Sequence, residues 1–71
     1  MHRLIIEYSK QDITPQEAHN LTSQISEWLV NYEVYGCQSA SDAIEFDSDV
    51  MRTQAILWLS DEKQISRLRL G

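Results

Sequence analysis

The sequence predicts a small α+β domain in which one amphipathic helix packs on one face of a single sheet of about three strands. Three observations support this fold class: an alternating apolar segment near the start, a capped amphipathic segment after it, and a nearly continuous apolar run around residue 56. The 71 residues fit one domain, residues 1–71, because domains usually run from about 50 to 250 residues. The expected element order is strand, helix, strand, strand, helix.

The first two elements have specific local signals. Residues 3–8 predict a half-buried strand because Leu4, Ile6 and Tyr8 alternate with other side chains. The segment that follows the next turn, Thr14-Pro15-Gln16-Glu17, combines a capping threonine, a proline suited to the first helical position and a glutamate that can return to the cap. A helix from about Pro15 to Asn31 is therefore expected. Its apolar stripe consists of Ala18, Leu21, Ile25, Trp28, Leu29 and Tyr32.

The middle of the chain allows more than one reading. Residues 33–38 are typical of a short strand or of an extended exit from the helix. Residues 39–46 allow a capped helical turn or a strand with Ile44 and Phe46 facing inward, and the strand is preferred. Residues 47–49 predict a turn.

Two segments complete the predicted fold. Residues 53–59 form a nearly continuous apolar run, which is expected of a central strand covered on both faces. Residues 60–71 begin with a capping serine and early acids and end with late bases and a glycine, which favours a short helix. Alternation of Leu68 and Leu70 with arginines also suits a last strand, but helix is the prediction.

Few residue types needed for cofactor chemistry are present. The chain has two glycines, one cysteine and two histidines, which excludes the usual glycine-rich nucleotide loops and the paired spacings of a structural zinc site. The acidic segment that starts at Glu45 lacks the glycine and glutamate of a calcium loop, since Val50 and Ile56 occupy those positions. We therefore expect no cofactor and no metal.

The sequence also bears on location. Cys37 has no second cysteine with which to form an internal disulfide, and no apolar run is long enough for a signal peptide or a membrane span. A cytoplasmic protein without membrane contact is expected.

Charge is unevenly distributed. The chain has six bases against eleven acids, a net charge of −5, which argues against direct binding of nucleic acid. Residues 1–51 carry two bases against nine acids, a net charge of −7, whereas residues 52–71 carry four bases against two acids, a net charge of +2. The molecule is electrically polarised, and its acidic part points to a basic protein as partner.

The strongest acidic segment runs from Asp42 to Asp49, with no base before Arg52. If this segment were a strand, Glu45, Asp47 and Asp49 would line one face at spacings of roughly 6.6 Å. Such a stripe can serve only to keep a strand edge soluble, or it can present negative charge where nucleic-acid phosphates would lie on a partner.

The main functional expectation is a non-enzymatic interaction protein that inhibits or neutralises a partner with a basic, nucleic-acid-binding surface. In size and acidity the chain is similar to antitoxins, immunity proteins and small inhibitors carried by phages and plasmids, although it shares no motif with them. Trp28 and Trp58 are expected in the core, while Tyr35 is the candidate exposed anchor. The candidate partner-binding residues are Asp42, Glu45, Asp47, Asp49 and Tyr35.

Three alternatives remain open at this level. One is a small hydrolase or ribonuclease that uses His19 or the acidic cluster. Another is nucleic-acid contact through the C-terminal bases, of which Arg67 and Arg69 are the closest pair. The third is a self-associating subunit, such as a homodimer, because a domain this small leaves apolar surface to cover.

Overall fold

A computed structural model describes residues 2–71 and shows one four-stranded antiparallel sheet with two helices. The expected α+β class is confirmed, whereas the expected count of three strands and the expected element order are wrong. The elements are β1 His2–Tyr8, α1 Pro15–Val30, β2 Gly36–Ala40, β3 Ala43–Phe46, α2 Asp49–Leu59 and β4 Ile65–Leu70.

The strands lie in the order β2-β3-β1-β4. Both β1 and β2 are antiparallel to β3, so β1 and β2 run in the same direction, with β3 inserted between them. By the same reasoning β3 and β4 run in the same direction on either side of β1. Two split β-α-β units therefore interlock, which is the connection order of ferredoxin-like domains.

The last two elements have the opposite secondary structure from the one that the sequence predicts for each of them. Residues 53–59, expected to be a strand, belong to α2, and residues 61–70, expected to be a helix, contain β4. An apolar run has no clear period, so it does not distinguish a buried strand from a helix. The helix begins because Ser48 Oγ accepts a hydrogen bond from the Met51 backbone N–H at 3.2 Å. In β4 the alternation of leucine with arginine was the correct signal.

Helix α1 begins where the sequence predicts. The Glu17 backbone N–H donates to Thr14 Oγ1 at 3.1 Å, and the Glu17 carboxylate accepts from the Thr14 backbone N–H at 3.4 Å, which together make a capping box. The Lys10 ammonium also binds this carboxylate, and this contact and the cap hold the pKa of Glu17 below its usual range. The helix ends at Val30, with Asn31 as its C-cap.

The core lies between the helices and one face of the sheet. Leu4 and Ile6 of β1 share that face with Ile44 and Phe46 of β3, as the cross-strand register requires. The helices cover them with apolar residues that are buried or nearly so. The buried cluster comprises Leu4, Ile6, Leu29, Val34, Ile44, Phe46, Ala55 and Leu59. In residues 2–71, no helix is both long enough and apolar enough to span a bilayer.

Candidate protein-binding surface

The four acidic residues predicted to form one stripe have different positions in the fold. β3 ends at Phe46, so no strand continues through residue 49. Asp42 lies in the turn between β2 and β3, Asp47 lies in the connection after β3, and Asp49 is the first residue of α2. The expectation that residues 45–49 form one strand face is wrong, because the helix cap at residue 48 turns the chain away from the sheet.

Glu45 lies on the sheet face opposite the helices, which we call the open face. It is the cross-strand neighbour of Arg3, whose Nε lies 3.7 Å from Glu45 Oε1. On the same face Glu7 forms an ion pair with Arg69 and is the cross-strand neighbour of Arg67. Opposite charges face each other here, which stabilises antiparallel pairing. The open face therefore balances much of its own charge.

Asp47 and Asp49 are exposed at the start of α2. A carboxylate in the first helical turn interacts favourably with the partial positive charge of the free amides. Asp49 therefore has a folding role in addition to any role in binding. Asp42 is exposed beside a shallow depression that Tyr8 and Lys10 also line.

The largest aromatic group lies on the helical side of the molecule. Tyr32 and Trp58 are stacked, with ring centroids 4.0 Å apart and planes at 30°. The edge of Trp28 approaches both rings, with centroid distances of 4.9 Å to Tyr32 and 6.1 Å to Trp58. Trp28 and Trp58 belong to the C-terminal turns of α1 and α2, and Tyr32 follows α1 directly. The C-terminal ends of both helices thus meet at this group, the aromatic cluster.

The aromatic cluster is only partly covered. Trp58 is 44 % exposed and Tyr32 is 41 % exposed, so the expectation that Trp58 is a core residue is wrong. The stacked rings line an open groove of about 490 Å³ together with Gln54 and Leu57. We call it the aromatic groove. Large exposed aromatic side chains are frequent energetic centres of protein interfaces.

A second depression of about 290 Å³ lies on the other side of Trp28. Its lining is mostly apolar, with Ile25 and Leu59 at the base and the acid Glu62 at the rim. Trp28 is the residue that borders both this depression and the aromatic cluster. An extended apolar surface therefore follows the junction of the two helices.

Helix α2 is unusual because two of its faces are apolar. Ala55 and Leu59 are buried, whereas Val50 is 63 % exposed and Leu57 is 69 % exposed. Val50, Gln54, Leu57 and Trp58 recur at steps of three and four residues, so they share one outward stripe. This spacing was visible in the sequence, but it identifies the stripe only when residues 49–59 are read as a helix.

Acidic residues surround the helical side. Residues 27–63 contain eight acids against two bases, Arg52 and Lys63. Apart from Glu45 these acids are exposed and form no ion pair within residues 2–71. Those exposed acids are Glu27, Glu33, Asp42, Asp47, Asp49, Asp61 and Glu62.

Glu33 has an unfavourable backbone conformation. Its φ is 61°, in the left-handed region where glycine is preferred, and the Val34 N–H donates back to the Leu29 carbonyl at 3.1 Å to close the helix end. The predicted anchor Tyr35 follows two residues later and is 54 % exposed. Exposed aromatic and acidic side chains therefore continue from the helix end into β2.

The His19 side chain is hydrogen-bonded to β2. Gln38 Nε2 donates to His19 Nδ1 at 3.1 Å, and Ser23 Oγ donates to Gln38 Oε1 at 2.7 Å. Cys37 is exposed on the neighbouring strand position. The observed contacts of His19 thus join α1 to β2. In the described part of the chain, no group of three or more metal-ligating side chains converges.

A series of hydrogen bonds that joins Tyr8, Thr22 and Ser41 crosses the interior. Thr22 is fully buried, and its hydroxyl donates to the Ser41 carbonyl at 2.7 Å. A hydroxyl has one proton, so the Tyr8 hydroxyl must be the donor to Thr22 Oγ1 at 2.6 Å. Burial raises the pKa of Tyr8, and the charge of Asp42 adds to this effect. These hydrogen bonds connect β1, α1 and the turn before β3.

The chain matches no protein-family model, and searches of curated proteins and of solved structures found no match either.

Proposed function

We propose that this chain is a non-enzymatic, cytoplasmic protein–protein interaction module that neutralises a partner with a basic surface. The observation that carries the proposal is the exposed aromatic cluster on the acidic, helical side of the molecule. Aromatic anchors contribute binding energy once they are desolvated, and surrounding charge increases the rate and selectivity of association.

A basic protein surface is typical of proteins that process nucleic acids, since such surfaces contact phosphates. Exposed carboxylates on a rigid domain can compete for the same positive groups. The proposed contact surface therefore joins the aromatic cluster to the acids at the start of α2, Asp47 and Asp49, and includes the exposed ring of Tyr35. Asp42 is a peripheral acid in this arrangement, and Glu45 faces Arg3 on the opposite side.

Paired charge reversals test the proposal. A tagged form of the chain is used to capture partners from source-cell or host lysate with and without nuclease, and binding of the recovered protein is then measured by calorimetry. Asp47→Lys with Asp49→Lys should weaken binding at least about tenfold, since contacts of charged groups contribute about 1.5–3 kcal/mol each. Arg67→Ala with Arg69→Ala, on the open face, is the matched control and should leave affinity unchanged.

Two results would contradict this function. One is equal affinity for the charge-reversed and native chains while circular dichroism shows both to be folded. The other is recovery of material that disappears with nuclease and depends on Arg67 and Arg69, which would favour direct nucleic-acid binding.

The outward stripe of α2 also supports a second candidate, self-association. Leu57 and Trp58 would be covered if two copies met along this helix, and small domains gain stability from such burial. Sedimentation velocity of the purified chain over a range of concentrations tests this candidate. A dimer that Leu57→Glu dissociates would establish it, and a monomer at all concentrations would contradict it.

A further inference from the structure

The negative ends of both helices converge on the aromatic cluster. The last turn of an α-helix carries a partial negative charge from its free carbonyl groups, and basic side chains usually compensate it. Neither helix has a basic residue in its last turn. Instead, α1 is followed by Glu33 and α2 by Asp61 and Glu62, which add negative charge where it is already unfavourable.

These local choices oppose folding stability. Acids near a helix C-terminus destabilise the helix, and a glutamate with positive φ is less favourable than a glycine at the same position. Residues that oppose local stability occur mainly where function requires them. The residues at the two helix ends have one property in common, an excess of negative charge beside exposed aromatic rings.

From these observations we infer that the aromatic groove binds a cationic side chain, specifically the arginine of a basic partner segment. A guanidinium stacks on aromatic faces and is weakly hydrated, so it suits a groove lined by exposed ring surface better than an ammonium does. The stacked pair of Tyr32 and Trp58 provides that ring surface, and the other lining residues are Leu57, which is apolar, and Gln54, whose amide oxygen can accept a hydrogen bond. Glu33 follows Tyr32 in the sequence and adds an exposed carboxylate at this end of α1.

This inference rests on the proposed function and specifies its partner. Charge complementarity favours a basic segment over a second copy, because two copies meeting at this groove would bring like charges together. Glu33, Asp61 and Glu62 of one molecule would then face the same residues of the other. A purely apolar segment would leave those acids uncompensated.

The test uses hexa-arginine, hexa-lysine and neutral hexa-citrulline peptides as probes, followed by nuclear magnetic resonance of the labelled full chain. Hexa-arginine should shift the Trp58 indole and Tyr32 ring signals and bind more tightly than hexa-lysine, and hexa-citrulline should not bind. Trp58→Leu should weaken hexa-arginine binding about tenfold, within the range for a cation on an aromatic face. Tyr32→Leu provides a second variant if Trp58→Leu loses its fold.

Two changes at residue 33 separate binding from folding. Glu33→Gln should weaken hexa-arginine binding, whereas Asp42→Asn, which removes another exposed carboxylate in the turn between β2 and β3, should change it less than about twofold. Glu33→Gly should also weaken binding while raising the melting temperature by about 4–8 °C, because glycine relieves the backbone conformation.

The inference is overturned if Trp58→Leu, Tyr32→Leu and Glu33→Gln all bind hexa-arginine as the native chain does. It is also overturned if sedimentation shows a dimer that covers Trp58 and that excess peptide does not dissociate. Either result leaves the proposed function intact if the captured partner still loses affinity on Asp47→Lys with Asp49→Lys. Loss of sensitivity to that charge reversal would contradict the proposed function alone.

Discussion

The two sides of the sheet differ in whether their charged side chains form ion pairs within the chain. On the open face, acids and bases of neighbouring strands form ion pairs, as in Arg3–Glu45 and Glu7–Arg69. On the helical side, carboxylates are exposed without ion pairs in residues 2–71, and Tyr32 and Trp58 are partly exposed. Charged side chains that form ion pairs within the chain contribute to strand pairing. Carboxylates without an ion pair, on a surface that also exposes apolar side chains, can instead bind a partner protein. For this reason the proposed protein-binding surface and the proposed arginine site are both on the helical side.

The two sides also differ in how much each residue contributes to stability, and β3 gives the sharpest comparison. Phe46 is 1 % exposed in the core, while its neighbour Glu45 points to the open face. Phe46→Ala should lower the free energy of unfolding by about 3–5 kcal/mol, since it leaves a cavity. Glu45→Ala should lower it by less than about 1 kcal/mol, as expected for a partly exposed ion pair.

Urea denaturation followed by tryptophan fluorescence measures both variants of β3. If the two variants lose similar stability, the open face contributes more to folding than its exposed ion pairs indicate.

Substitutions in the edge strand β2 are expected to change stability by smaller amounts than those in β3. A Cβ on Gly36 would lie 2.6 Å from Ile44 Cγ2 and 2.7 Å from the Phe46 ring, so glycine is required for close contact rather than for its backbone freedom. Gly36→Ala should cost about 1–3 kcal/mol because it overpacks the core. The next residue, Cys37, is exposed, and Cys37→Ala should change stability by less than about 0.5 kcal/mol.

The comparison at β2 is checked by thermal denaturation of both variants under reducing conditions. A Gly36→Ala variant as stable as the native chain would mean that Ile44 and Phe46 move apart at little cost.

The smallest expected change in stability concerns the buried hydrogen bond between Tyr8 and Thr22. Tyr8→Phe removes one hydrogen bond and should lower stability by about 1 kcal/mol at neutral pH. Because burial raises the pKa of Tyr8 in the folded state, its neutral hydroxyl contributes fully below the ordinary tyrosine pKa near 10. That contribution is lost as pH rises through the folded-state pKa. The stability difference between native chain and variant should therefore decrease above about pH 10.

Urea denaturation from neutral to alkaline pH measures the effect of Tyr8→Phe, with Tyr35→Phe as the matched exposed control. A difference that stays constant across this range would contradict a raised pKa at Tyr8.

Sequence patterns predicted β1, α1 and the inward-facing Ile44 and Phe46 of β3. In each case the signal was local: alternation in Leu4, Ile6 and Tyr8, and a capping box at Thr14 whose hydrogen bonds involve residues three positions apart. Local signals of this kind are independent of the rest of the fold. The α+β class followed from them.

Tertiary structure was needed for β4 and the candidate binding surface, and it selected α2 together with the local cap at Ser48. The apolar run of residues 53–59 supports either a strand or a helix, and it became α2 because Ser48 caps it and because β1 offers β4 an edge for pairing. Only that outcome puts Leu57 and Trp58 on the outside and brings Trp58 onto Tyr32, twenty-six positions earlier. Contacts over such separations depend on how the helices pack, which no local sequence pattern encodes.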